Sequence, residues 1–111
     1  RIILLLDKAK NVVGFSELHY IKERKMFSCD SGFTAVHPEY RGKGIAKYLK
    51  ASLYLRLLSE DTEFDRITTN TLKCNNFMNK INLELGFKEY RRGYSFRVTK
   101  ETIGKTIKDI E

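Results

Sequence analysis

Apolar residues at Ile45, Leu49, Leu53 and Leu57 step by four through a segment free of proline and glycine. That spacing predicts a helix over Ile45 to Leu58, with Ala46, Tyr48, Tyr54, Leu55 and Leu58 widening its apolar stripe so that it packs heavily into the domain. A helix so apolar must be covered, and the chain supplies candidates on both sides. Phe27 to Val36 reads as a strand with Gly32 as a bulge site, and Arg66 to Leu72 is a short β-branched run. Strand, helix and strand in that order make a crossover, which is expected to be right-handed and to join parallel strands. With 111 residues the chain has room for one such core and not two.

The remaining segments extend this unit. Ile2 to Leu6 reads as a strand buried on both faces, and "DKAKN" as a hairpin connection to a strand at Val12 to His19. A second helix starts near Asn76, with Phe77, Met78, Ile81 and Leu85 on one face and Gly86 where a left-handed C-terminal residue belongs. Phe87 to Tyr90 and Tyr94 to Val98 read as closing strands. The tail from Thr99 to Glu111 is charged, with Ile103, Ile107 and Ile110 at helical steps. The expected order is β-β-β-α-β-α-β-β, a mixed α/β (α+β) sheet with helices on its faces.

Lys and Arg outnumber Asp and Glu by 21 to 14, which gives a formal charge of +7 and favours an anionic partner. The longest apolar run is "IILLL", far short of the roughly 20 residues that cross a bilayer, so no membrane partner is expected. Cys29 and Cys74 fit no metal spacing and are too few for a secreted disulfide framework; a reduced, cytoplasmic setting is the expectation. No metal site is expected. The first residue is Arg1 rather than Met, and the expectation is a single domain over 1–111 that forms the C-terminal part of a longer chain.

The stretch "TAVHPEYRGKGIAKYLK", Thr34 to Lys50, carries the chemistry. A helix N-terminus leaves backbone N–H groups unpaired and partly positive, so cations there oppose the helix dipole. Arg41, Lys43, Lys47 and Lys50 nevertheless crowd that end, and a docked polyanion would relieve the conflict. Gly42 and Gly44 allow close approach to the backbone. Against this, lysines are good helix formers and two glycines can simply make a turn. Neither the P-loop pattern nor the dinucleotide fingerprint is present, since the latter needs glycine where Lys47 stands.

These residues resemble a known family. "VHPEYRGKGIA" is similar to the acetyl-CoA signature of the GNAT N-acetyltransferases, an Arg or Gln followed at fixed spacing by Gly and by Gly or Ala, here Arg41, Gly44 and Ala46. "NNFMNKINLELGF", Asn75 to Phe87, resembles the family's next motif, and the resemblance runs from about Ile2 to Val98. It implies the three-layer acyl-CoA N-acyltransferase fold without the usual N-terminal strand and helices. It also implies acetyl-CoA as cofactor, lying between the splayed third strand and the strand at Arg66. Backbone groups near Ala35 and Val36 would pair with the pantetheine, and the loop Arg41, Gly42, Lys43, Gly44, Ile45 and Ala46 would hold the pyrophosphate. Asn75 matches a position whose side chain commonly touches the cofactor.

The catalytic pattern departs from the family at two places. The tyrosine that often serves as general acid is replaced by Asn82, which can hydrogen-bond a sulfur but not protonate it in the same sense. The usual carboxylate position holds Gly32, so Glu17 and Asp30 are the nearest candidate bases, each also readable as an ordinary surface residue. His19 is ambiguous and His37, before Pro38, reads as a loop residue; Cys74 and Cys29 read as small buried residues. Phe77 and Met78 read as core before cofactor contact.

Three functions follow from these residues. The first is an N-acetyltransferase moving an acetyl group from acetyl-CoA to a small-molecule or peptide amine by direct attack in a ternary complex. The second is a non-catalytic acyl-CoA-binding module. The last-ranked is a nucleic-acid binder, suggested by "YRRGYSFR" but set behind the others because strand periodicity would bury Tyr94, Phe96 and Val98 on one face. The resemblance also allows a homodimer through the late strands.

Overall fold

The computed structural model describes residues 1–28 and 33–110. Strands β1 (Ile2–Leu6), β2 (Val12–Glu17) and β5 (Thr34–Val36) form one sheet in the order β1-β2-β5, and β3 (His19–Ile21), β4 (Met26–Ser28) and β6 (Arg66–Thr68) form another in the order β3-β4-β6. Helices α1 (Ile45–Ser59), α2 (Asn76–Glu84) and α3 (Lys100–Ile110) complete the fold. Between β1 and β2 the "DKAKN" connection closes as expected. Lys10 takes a left-handed φ of 69°, Asn11 N–H donates to Asp7 Oδ1 at 2.8 Å, and that bond holds the Asp7 carboxyl below the usual carboxylate range.

The segment Val12 to His19 does not run as one strand. Leu18 separates β2 from β3, which pair with different neighbours, and the Leu18 side chain is 2% exposed in a core shared with Phe27, Leu53 and Leu57. The segment Phe27 to Val36 is split likewise between β4 and β5. Its expected bulge at Gly32 lies outside the described residues, as do Cys29 and Asp30. The parallel pair predicted across the helix is present, but it joins β4 to β6, with Met26 opposite Arg66 and Ser28 opposite Thr68. Beyond Thr68 the β-branched run leaves the sheet, so β6 is shorter than Arg66 to Leu72.

Helix α1 lies on the first sheet along Ala46, Leu49, Lys50, Leu53 and Leu57, all buried. The approach is close because of Gly14: a Cβ there would stand 2.9 Å from the Ala35 carbonyl oxygen and 3.0 Å from Leu49 Cδ1. The stripe is narrower than predicted, since Tyr48, Leu55 and Leu58 face solvent. Nor is β1 buried on both faces. Ile2, Leu4 and Leu6 are exposed, because β1 is the edge of an antiparallel sheet whose other residues, Ile3 and Leu5, face inward.

The closing strands are absent: from Phe87 to Thr99 the chain has no helix or strand, and every residue from Lys88 to Ile110 is exposed. Strand periodicity alone does not make a strand, because the ladder hydrogen bonds and the apolar face both need a neighbour. In α3 the isoleucines do sit at helical steps, and Thr99 caps the helix, its Oγ1 accepting from Thr102 N–H at 3.2 Å.

Candidate functional site

The site is built where the two sheets part. Strand β4 pairs with β6 as far as Ser28 and Thr68, and when the chain resumes as β5 its recorded strand partner is β2 alone. The side of β5 away from β2 therefore has no strand partner among the described residues and borders the gap between the sheets.

Register decides which backbone groups that edge offers. His37 N–H donates to the Val13 carbonyl at 2.7 Å and Glu17 N–H to the Phe33 carbonyl at 3.2 Å, so the odd-numbered residues of this pairing bond to β2. Ala35, opposite Phe15, belongs to that set, and its main-chain groups are turned away from the gap. Thr34 and Val36 point their N–H and C=O groups into it. The Val36 carbonyl already accepts from Arg41 Nε at 3.0 Å, which ties the loop to the strand end. Of the two residues expected to pair with a ligand, Val36 turns its N–H away from β2, whereas Ala35 bonds to β2; Thr34 shares the orientation of Val36.

The loop follows from a chain of local choices. His37 Nδ1 accepts from Glu39 N–H at 3.3 Å and caps the short 3-10 turn Pro38–Tyr40, a more definite role than that of a plain loop residue. Gly42 and Gly44 both sit at φ 78°, in the left-handed region, with open space where a Cβ would project. Gly44 is the N-cap of α1, supplies no side-chain cap, and no acidic residue follows in the first turn. The first intrahelical bond runs from Tyr48 N–H to the Gly44 carbonyl at 3.1 Å, which leaves the amides of Ile45, Ala46 and Lys47 without an intrahelical acceptor.

Ile45 and Ala46 border a cavity of about 280 Å³ lined also by Val36, Tyr40, Arg41, Gly42, Gly44 and Phe77. Most of the predicted loop is here. Lys43 stands beside it, its ammonium 5.5 Å from the centre of the Tyr40 ring. Two further wall residues are aromatic. Tyr40 carries no motif signal of its own, and Phe77, which reads in the sequence as core before cofactor contact, is 58% exposed and lines the cavity. The helical spacing that suggested a buried Phe77 is real, but only Ile81 and Asn82 of α2 are buried. The residues present fit an anionic, partly apolar ligand: unpaired amides, an uncapped positive helix end, two glycines for close approach and an aromatic wall.

The lysines are not equivalent. Lys47 donates to Glu84 Oε2 at 2.6 Å, linking the start of α1 to the end of α2, and that bond holds the Glu84 carboxyl below its usual range. Lys50 is buried, with its ammonium 5.6 Å from the Phe87 ring centre. Part of the predicted conflict with the helix dipole is thus met inside the protein, leaving Arg41 and Lys43 at the cavity.

The other predicted residues lie apart from this cavity. Asn75 is exposed and its Oδ1 accepts from Met78 N–H at 3.1 Å as the N-cap of α2. Asn82 is 7% exposed, and its Oδ1 has no hydrogen-bond partner among the described residues. Glu17 ends β2, half-buried, and does not line the cavity. His19 is exposed, and so is Cys74, which is a free thiol rather than the buried residue expected. Among the described residues there is no cluster of three or more metal-ligating side chains, and no helix is long and apolar enough to cross a membrane.

Comparison with known proteins agrees with this geometry. The profile of the acetyltransferase (GNAT) family matches residues 1–87. No curated protein sequence matches the chain. Among solved structures, a protein from Acinetobacter baylyi ADP1 superposes with a TM-score of 0.67 at 20% identity, over 78% of this chain and 49% of that one. Aminoglycoside N-acetyltransferase AAC(6')-Iy, solved in complex with CoA, gives 0.64 at 19% identity, over 88% of this chain and 75% of that one. Mutant forms of the spermidine/spermine N-acetyltransferase of Vibrio cholerae give 0.63 at 22%, over 80% of this chain and 52% of theirs. The chain spans about half the length of the first and third of these proteins. With both motifs present, the parted sheets in place and the family profile matched over most of its length, the chain belongs to the GNAT acetyltransferase family.

Proposed function

We propose that residues 1–111 act as one acyl-CoA-binding domain that transfers an acetyl group from acetyl-CoA to a small-molecule or peptide primary amine, in a cytoplasmic setting and as a homodimer. The observation that carries this reading is the cavity at the start of α1, where Ile45 and Ala46, whose amides have no intrahelical acceptor, meet Val36 at the end of β5. When bound, acetyl-CoA supplies an activated acetyl group. The chain's part is to hold and align it. The loop from Arg41 to Ala46 takes the pyrophosphate on its amides, Val36 N–H and the Thr34 carbonyl pair with the pantetheine amides, and Phe77 and Tyr40 wall the arm. An amine brought to the same gap would take the acetyl group, its C–N bond forming as the thioester C–S bond breaks and CoA leaves as the thiol with the amine's proton; the chain's contribution is alignment and the main-chain N–H groups turned toward that gap.

One observation favours a second reading, a binding module without turnover. Asn82 is buried and does not line the loop cavity, and neither does Glu17, so neither of the expected catalytic residues accompanies the binding groups there. Acyl transfer to any amine removes this second reading.

The test is thermal stabilisation by acetyl-CoA against acetate alone, in the wild type and in Gly44→Asp. Near a hundredfold above a micromolar Kd, linkage predicts about 2.7 kcal/mol of stabilisation for the wild type. The aspartate at a φ of 78° places a carboxylate in the phosphate cradle and should abolish the shift. No shift in the wild type overturns the proposal.

A further inference from the structure

The two faces of the first sheet differ in what covers them. Helix α1 lies on the face that carries Gly14, where a Cβ would meet Leu49. Ser16 is buried on that same side, and its hydroxyl is 2.7 Å from the hydroxyl of Thr34. Because side chains alternate along a strand, Phe15 and Glu17 project from the outer face of β2, and Phe33 from the outer face of the chain as it enters β5. The neighbouring strand agrees: Leu4 stands opposite Phe15 and Ile2 opposite Glu17, and both are exposed.

At one end of this outer face Phe15, Glu17 and Phe33 converge. The Phe15 and Phe33 rings meet edge to face with their centres 5.2 Å apart. Glu17 N–H donates to the Phe33 carbonyl at 3.2 Å, which continues the β2 to β5 register by one residue and sets Glu17 opposite Phe33. Phe33 is 60% exposed, so its ring is open to a ligand. Glu17 is the sole charged residue in β1, β2 and β5, and it has no ion pair among the described residues. One carboxylate thus stands on an apolar field of Phe15, Phe33 and Ile2.

Its position in the fold matters as much as its chemistry. The cluster lies where the chain enters β5, and the glycine loop follows where β5 ends. The strand edge that borders the gap between the sheets therefore has this cluster at one end and the cavity at the start of α1 at the other.

We infer that Glu17, Phe15 and Phe33 form the platform for the amine acceptor, and that the acceptor is a primary amine carried on an aromatic body. Charge and shape select that class together. Glu17 attracts an ammonium group, and the two rings offer it a cation–π contact and offer its aromatic body a surface to pack on. A polar amine would leave the rings in water, an uncharged aromatic molecule would cover the carboxylate without pairing it, and a polyamine would find a single carboxylate on this sheet. The contact is one of recognition, with no bond changing at Glu17. The word acceptor rests on the acyl-transfer reading; the binding itself does not need the cofactor.

The experiment is calorimetric titration of the full chain with phenethylamine, beside ethylamine, which has the charge without the ring, and phenethyl alcohol, which has the ring without the charge. Each is titrated without cofactor and again with coenzyme A. Phenethylamine is expected to bind about tenfold more tightly than either control. Glu17→Gln should weaken its binding about tenfold and Phe33→Ala about threefold, with circular dichroism checking that both variants fold. Equal binding of either control overturns the inference, as does phenethylamine binding unchanged in either variant. Absence of phenethylamine binding in both conditions overturns it as well. If acetyl-CoA still stabilises the chain in that last case, the platform is lost and the acyl-transfer reading stands. Phenethylamine binding through Glu17 and Phe33 with no stabilisation by acetyl-CoA supports the amine site and removes the transfer.

Discussion

Helices α1 and α3 invert the usual expectation about amphipathic patterning. Helix α3 separates its residues cleanly, with Ile103, Ile107 and Ile110 along one side and charges elsewhere, and buries none of them. Helix α1 is apolar nearly all round, with Tyr48, Leu55 and Leu58 in solvent, and yet it holds the centre of the protein through Leu49, Leu53 and Leu57. Patterning states what a helix needs; a neighbour decides whether it gets it. For α1 the neighbour is the first sheet, brought close by Gly14. For α3 the stripe stays exposed among the described residues, and so do the alternating Tyr94, Phe96 and Val98 that precede it.

The comparison can be broken first by truncation in the two helices. Leu53→Ala removes a side chain 1% exposed, and the vacated volume should cost about 2–5 kcal/mol. Ile107→Ala, at a position 49% exposed, should stay within about 0.5 kcal/mol in a monomer. Urea unfolding at low protein concentration measures both, and equal losses would mean that α3 is packed after all.

A smaller contrast comes from the glycines. Gly14→Ala forces a methyl against the Ala35 carbonyl and Leu49, and overpacking of this kind costs about 1–3 kcal/mol. Gly93→Ala, in the segment before α3, meets nothing within 4 Å and should be neutral or slightly stabilising through the unfolded state. If Gly14→Ala melts at the wild-type temperature, α1 does not need its close seat on β2.

The smallest effect concerns ion pairs. Lys47 bridges α1 to Glu84 of α2, whereas Lys105 pairs locally with Glu101 inside α3. Because the Glu84 carboxyl is held below its ordinary value of 4.5, its contribution is complete above that pH and is lost as pH falls through the lowered value. The melting temperature of Lys47→Met should therefore trail the wild type at neutral pH and converge with it in acid. Lys105→Met should change little at any pH, and a constant offset for Lys47→Met would show that its stem, not its charge, matters.

Several features were legible in the chain because they are local. The step of four from Ile45 to Leu57 gave α1 to within one residue of its end, Gly86 does take a left-handed φ of 92°, and the loop from Arg41 to Ala46 borders the cavity as its motif implied. What could not be read were facts about neighbours. A run of strand-like residues from Val12 to His19 gives no sign that Leu18 hands the chain from one sheet to another. The motif implied backbone contacts near Ala35 and Val36 alike, and only the register with β2 shows that Ala35 turns its main-chain groups toward β2 while Thr34 and Val36 turn theirs away. Phe77 fits a helical stripe whichever way the helix faces, and its place in the cavity wall depends on how α2 sits.

The sequence by itself thus determined the helices, the glycine loop at the start of α1 and the family, since dihedral preference, capping and glycine spacing act over a few residues. Only the tertiary structure decided which edges stay unpaired and which apolar faces are covered. Both depend on contacts between segments far apart in the chain, and a strand or stripe carries the same signature whether it is partnered or bare.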